Sequence, residues 1–314
     1  MRLLTVSNLT THFQNSHGVL KAVDGVDLHI DRGETVGIVG ESGCGKSSLA
    51  RSIIRLETPT SGSISYNGLE LTTLSQREMR GIRRGFQMVF QDPFASLNPR
   101  HTIQEILGTP LKVHGIGSRL ERVEAVRNIL SVVGLPRDAA GKYPHQFSGG
   151  QRQRIGIARA LVLEPELIIC DEPVSALDLS IQAQILNLLV DLKEAQNLSY
   201  LFISHDLSLV RYFADRVLVM YLGKIVESGS SGEIWATPRH PYTRALLESA
   251  PDPARQRDVN RLSGELPNPH SPPKGCRFHP RCPRSSEICR NTEPELRIYS
   301  SNHAAACHHP HPAA

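Results

Sequence analysis

Three short apolar runs, Thr35-Val-Gly-Ile-Val39, Leu167-Ile-Ile-Cys170 and Tyr200-Leu-Phe-Ile-Ser204, stand out from a chain whose apolar and polar residues are otherwise mixed. None alternates strictly, so each predicts a strand buried on both faces, as in a parallel sheet covered by helices. Up to about Gln91 the pattern is of short strands and turns, as in Ser61-Gly-Ser-Ile-Ser-Tyr-Asn-Gly68. From about Asp92 to Leu163 the period changes to 3.6, and Glu121-Arg-Val-Glu-Ala-Val-Arg-Asn-Ile-Leu130 carries an apolar stripe at helical spacing. From 164 to about 235 strands and helices alternate again, with Ile181–Leu189 as one helix. The chain has no internal repeat. The pattern predicts an α/β core interrupted by a helical stretch.

The first apolar run leads into Gly40-Glu-Ser-Gly-Cys-Gly-Lys-Ser47, which fits the phosphate-loop pattern G-x-x-x-x-G-K-[ST]. Gly43 and Gly45 allow backbone N–H groups to converge on one concavity, Lys46 supplies a point charge for the β- and γ-phosphates, and Ser47 offers a hydroxyl to Mg²⁺. Ser47–Ile54 continues at helical spacing, so the N-terminal dipole of the helix also faces the phosphates. Gly40, Ser42, Gly43, Cys44, Gly45, Lys46, Ser47 and Ser48 are therefore the expected nucleotide cradle. Cys44 lies beside Lys46 and a helix N-terminus, which favours a reactive thiolate; the plainer reading is a buried, inert spacer. A phosphate loop alone does not separate kinases, GTPases and motor ATPases.

Phe147-Ser-Gly-Gly-Gln151 resembles the LSGGQ signature of ABC ATPases, with Phe in the Leu position, and Arg152–Arg159 reads as the helix that follows it. The resemblance implies that Ser148, Gly149, Gly150 and Gln151 contact the γ-phosphate of an ATP held by an opposite subunit. Leu167–Cys170 followed by Asp171 and Glu172 is similar to a Walker B element, in which Asp171 holds Mg²⁺ and Glu172 polarises the attacking water. Gln91 resembles the Q-loop glutamine that touches the metal, so Ser47, Gln91 and Asp171 are the implied Mg²⁺ set. Ser175–Asp178 resembles the D-loop, and His205 the switch histidine at the γ-phosphate. Phe13, with His12 as fallback, is the implied adenine-stacking residue. Glu172, His205 and Gln91 are thus the expected catalytic group.

The likeness extends to Ser96–Arg100, Tyr143–Ser148, Asp178–Gln184, Tyr221–Glu227 and Pro238–Leu246, which resemble the ATPase subunits of oligopeptide and dipeptide ABC importers. Leu262–Pro267 and Gly275–Pro283 resemble the C-terminal extension of that subfamily, most closely the second ATPase of the pair. The implied organisation is an ABC-type P-loop domain over 1–235, with a helical subdomain at about 92–163, and an extension over 236–314. The implied assembly is a heterodimer with a second ABC ATPase subunit under two permease subunits, fed by a substrate-binding protein. The implied activity is ATP hydrolysis coupled to peptide import. Two alternatives stay open: an importer of nickel or another small solute, and a soluble ABC ATPase, although no tandem nucleotide domain or coiled-coil insertion is visible.

Composition narrows this picture. At 314 residues the chain can bury an α/β core and carry an appendage. A net charge of +4 is too mild for nucleic acid as the main partner. No apolar run reaches the roughly 18 to 20 residues that cross a bilayer, and the N-terminus lacks a signal-peptide core. The expected place is therefore the cytoplasmic face of the inner membrane, held there by other subunits. Of six cysteines, Cys276, Cys282, Cys289 and Cys307 lie in a proline-rich tail with few large apolar residues, which suggests a metal staple. Spacing alone leaves zinc, with His279, His303, His308 or His309 as substitute ligands, or free thiols. The resemblance implies a 4Fe-4S cluster on the four cysteines. The His308-His-Pro-His311 run reads as a disordered end.

Overall fold

Alternate residues Val26, Leu28 and Ile30 are buried while Asp27 and His29 turn away from that core, the two-residue period of a half-covered strand. In the computed structural model this strand is β2 (Gly18–Asp31), paired antiparallel with β1 (Arg2–Asn15). Residues 1–16, 18–249 and 264–312 are described; Leu262 and Ser263 of the tail motif lie outside them. The described chain divides into two compact units, Met1–Thr72 with Phe202–Ala314, and Thr73–Leu201.

The first unit continues with β3 (Thr35–Val39), α1 (Lys46–Ile53), β4 (Ser61–Tyr66) and β5 (Leu69–Glu70). One sheet has the order β2-β1-β4-β5. Short strands were expected here, yet β1 and β2 each run for 14 residues. Register shifts along their pairing, and Asn8 at φ 47°, let long strands bend, and they break the alternation that would have revealed their length.

The second unit holds α2 (Gln76–Ile82), β6 (Phe86–Val89), α3 (Pro93–Ser96), α4 (Ile103–Val113), α5 (Arg119–Val132), α6 (Gly149–Leu161), β7 (Leu167–Asp171) and α7 (Leu179–Gln196). Thr102 and Ser118 open α4 and α5 with reciprocal capping boxes to Glu105 and Glu121. The predicted stripe falls inside α5 and buries Val126 and Leu130. Leu111, Val162 and Leu163 pack together, with Ile116, Ala125 and Ile129 against them. β6 pairs parallel with β7, from Phe86 opposite Leu167 to Val89 opposite Cys170.

β8 (Ser199–Ser204) carries the chain back to the first unit, which is completed by α8 (Leu207–Phe213), β9 (Arg216–Tyr221), β10 (Lys224–Ser230), α9 (Ser231–Ala236), α10 (Pro241–Ser249), α11 (Glu287–Asn291), β11 (Leu296–Ser300) and β12 (His303–Ala306). Its second sheet runs β11-β12-β10-β9-β3, with β3 and β9 parallel. The tail thus adds two strands to the sheet that holds the phosphate loop.

The expectation that this tail needs a metal staple is corrected. Phe278, 1% exposed, packs edge-on against Tyr221 at 5.3 Å and lies at the same distance from Tyr242. His303 Nε2 lies 2.7 Å from the fully buried Glu227 carboxylate, which also accepts the backbone N–H groups of Arg239 and His240. These anchors supply the burial that composition seemed to lack. The His308–His311 run is ordered as well: His308 Nε2 meets the Thr292 carbonyl at 2.9 Å, and the His311 N–H donates to the Arg239 carbonyl. No helix among the described residues is long and apolar enough to cross a membrane.

Candidate nucleotide site

In the first unit, β3 ends at the phosphate loop and α1 begins within it. Gly40 and Gly45 are required by space: a Cβ on Gly40 would come 2.2 Å from the Met220 carbonyl oxygen, and one on Gly45 1.9 Å from that of Ala22. Gly45 also holds φ 109° as the N-cap residue of α1, a conformation open chiefly to glycine. Lys46 is 4% exposed, and its ammonium donates to the Gly40 carbonyl at 2.8 Å and the Glu41 carbonyl at 3.1 Å. Ser42 and Gly43 are exposed at the loop's rim, while Ser47 and Ser48 are half-buried on α1.

Cys44 corrects the thiolate expectation. It is 1% exposed, and burial pushes its pKa up to about 11 despite the opposing charge of Lys46. It is the inert spacer, because desolvation outweighs the nearby cation. Phe13 is half-buried on β1, paired across to Leu20; His12, the fallback, has Nε2 at 3.2 Å from the Asp24 carboxylate. His205 is exposed at the end of β8, just before α8, where Asp206 caps the helix by accepting the Ser208 N–H.

In the second unit, β7 delivers Asp171 (2% exposed) and Glu172 (9% exposed) at its C-terminal end. Glu172 holds a left-handed backbone, φ 46°, which is uncommon for a residue other than glycine. Its carboxylate accepts the Gln91 side-chain amide at 3.1 Å, so two predicted catalytic groups meet although 81 residues separate them. The Glu172 carbonyl in turn accepts the Ser175 hydroxyl at 3.1 Å, and Gln182 donates to the carbonyls of Val174 and Leu177, fixing the segment Ser175–Asp178.

Ser148 is the N-cap of α6: its hydroxyl accepts the Gln151 N–H, and the Gln151 side chain returns a bond to the Ser148 N–H. Gly149 and Gly150 form the first turn, and a Cβ on Gly150 would lie 2.5 Å from Ile181 Cγ2, so glycine lets α6 start against α7. Phe147 is buried; its carbonyl accepts Arg152 Nε, and the Arg152 guanidinium sits 4.0 Å from the Phe94 ring centre.

A strand that ends in a phosphate loop and a capped glycine turn that opens a helix are thus both present. The chain matches the family model described as ABC transporter over residues 23–175. The oligopeptide transport ATP-binding protein AppF of Bacillus subtilis is 55% identical over 301 residues, covering 94% of this chain and 92% of the relative. The chain belongs to the ABC transporter family. A second model, the C-terminal region of oligopeptide/dipeptide transporters, matches residues 226–289. The di/tripeptide transport ATP-binding protein DppF of Pseudomonas aeruginosa is 49% identical, covering 98% of this chain and 97% of its own. Among solved structures, the ATP-binding cassette MJ0796, a dimer in a post-hydrolysis state bound to ADP and Pi, aligns with a TM-score of 0.67 at 32% identity. The alignment covers 73% of this chain and 98% of that one. This chain is accordingly an ABC-type ATPase.

The expected 4Fe-4S cluster does not stand. Among the described residues no group of three or more His, Cys, Asp or Glu side chains could hold a metal ion. All four tail cysteines are free; Cys289 and Cys307 are buried. Burial pushes the Cys276 thiol to about 11 and Cys307 to about 12. Four cysteines close in sequence gave a ligand count, but the aromatic and ionic anchors of the tail are what order it.

Sequence reasoning passed over Glu41 and Tyr242. The Tyr242 hydroxyl accepts the Glu41 N–H at 2.9 Å. Glu41 occupies a variable loop position, and nothing local signals a partner 201 residues away.

Proposed function

We propose that this chain is the ATP-hydrolysing subunit of an ABC importer of di- or oligopeptides, bound peripherally through permease subunits at the cytoplasmic face of the membrane. The observation that carries the reading is the match of residues 226–289 to the peptide-transporter C-terminal region, joined to peptide-transport relatives that cover nearly the whole chain. Residues 1–235 serve as the ATPase domain, the helices within about 92–163 as the subdomain that presents the signature, and 236–314 as the extension.

Each unit contributes chemistry of its own. In the first, the loop from Gly40 to Ser48 cradles the triphosphate, Lys46 neutralises it, Phe13 stacks on adenine and His205 contacts the γ-phosphate. The glycine-only spaces at Gly40 and Gly45, where a Cβ would strike the Met220 and Ala22 carbonyls and displace the loop, and the buried Lys46 support this assignment. In the second, Glu172 polarises water and is oriented by Gln91, an arrangement supported by their hydrogen bond. Ser47, Gln91 and Asp171 are the residues that would hold Mg²⁺. This ion takes most of its ligands from phosphate and water and needs no cluster of protein side chains. When bound, it neutralises charge that develops on the phosphates.

Ser148, Gly149, Gly150 and Gln151 act on the nucleotide of a second ABC ATPase, which makes a heterodimer the working form. The helix start at Ser148 supports this role, because the dipole at a helix N-terminus suits a phosphate. Deleting the gene and measuring uptake of labelled di- and oligopeptides tests the substrate. Loss of peptide uptake with restoration by the intact gene is expected; unchanged peptide uptake with loss of nickel uptake would overturn it.

A further inference from the structure

The phosphate loop is held by a residue of the C-terminal tail. Arg281 places Nη1 2.6 Å from Glu41 Oε2 and Nη2 3.0 Å from Oε1, a two-pronged pairing with a carboxylate on the loop's second residue. The two side chains are 5% and 27% exposed. Glu41 is bound at each of its other polar groups too. Its N–H goes to Tyr242, and its carbonyl accepts Lys46, the loop's own cation.

Arg281 is itself fixed. It closes a short turn, with its N–H donating to the carbonyl of the buried Phe278 at 3.0 Å. The neighbouring Arg277 bonds the Leu222 carbonyl and pairs with Asp24. The following residue, Gly223, donates to the Cys44 carbonyl within the loop.

We propose that Arg281 is a positioning residue for nucleotide binding: it neutralises and orients Glu41, keeping a carboxylate beside the phosphate loop from opposing the incoming triphosphate. A triphosphate is a polyanion, and an unpaired carboxylate on the cradle repels it in a partly desolvated place where charges interact strongly. A guanidinium suits the task because it remains charged and its planar fork fixes the carboxylate in one direction. The inference rests on the ATPase assignment and is independent of which solute is carried.

The test is a fluorescent-ATP titration in Mg²⁺ with the full chain. Arg281→Met should raise Kd about tenfold, because truncating one member of a partly buried pair strands the other. Adding Glu41→Gln to Arg281→Met should recover most of that loss, since the repelling carboxylate is gone. A purely structural anchor gives the opposite pattern, with the double variant no better than the single. Wild-type affinity in Arg281→Met, or no recovery in the double variant, overturns the proposal. Should Arg281→Met not fold, Arg281→Lys carries the test. It keeps the charge and loses the fork, so a weakening of about threefold supports the proposal and unchanged affinity refutes it.

Discussion

Glu172 and His240 show how much a single environment decides. Glu172 holds a left-handed backbone and its carboxylate is met by the Gln91 amide, the two features on which its proposed catalytic role rests. Glu172→Gln should keep nucleotide affinity and lower turnover about 10²- to 10⁴-fold, measured by phosphate release in the assembled transporter. Near-normal release would remove Glu172 from catalysis. His240 is fully buried, and burial lowers its pKa to about 4; its Nδ1 accepts the Tyr242 N–H, so a proton there would break that bond. Between pH 6.5 and 4 the unfolded chain takes up a proton that folded His240 refuses. The resulting stability, at most about 3 kcal/mol, is present at pH 7 and lost as pH falls through that window. Denaturant midpoints at pH 7 and 5 should therefore differ more for the wild type than for His240→Phe. Equal slopes would exclude His240 as a source.

Elements were legible where local periodicity decides and obscure where distant residues do. The strand at Thr35–Val39, the helix opened by Lys46, the strand at Leu167 and the helix over Arg119–Val132 follow from runs and stripes that need no tertiary context. β1 and β2 were underestimated because bulges interrupt their alternation. The inert state of Cys44 depends on its burial, and the order of the tail on packing among Tyr221, Tyr242 and Phe278, which no window of sequence contains. Capping is the local rule that can be measured most directly. Ser230 accepts the Glu233 N–H at the start of α9 and donates to its carboxylate at 2.6 Å, and α9 carries the fully buried Ile234. Ser230→Ala should cost about 1 kcal/mol in urea unfolding. A change within error would mean that the fixed Ile234 and not the cap holds this helix.

At the scale of the whole molecule, one chain presents one phosphate loop and one signature, and the proposed assembly places them in different active sites. Ser148→Arg should leave this chain's own nucleotide affinity intact while suppressing hydrolysis in the assembled pair; equal loss of binding by the isolated chain would contradict action across subunits. The parallel pairing of β3 with β9 reaches further. The Thr35 N–H meets the Asp215 carboxylate across 180 residues, and Val36 to Val39 register against Arg216 to Val219. During synthesis the complete loop motif leaves the ribosome early, while the neighbour that completes its strand is still unmade. Until about residue 221 emerges, the backbone of Val36–Val39 has no β9 to pair with, and such long-range closure is slow to form. Nascent chains ending near residue 200 should be cut by protease within 35–54, and chains extended past β9 should resist. The motif that defines the protein thus becomes stable well after it is made, and its exposed interval is when chaperones and misassembly compete for it.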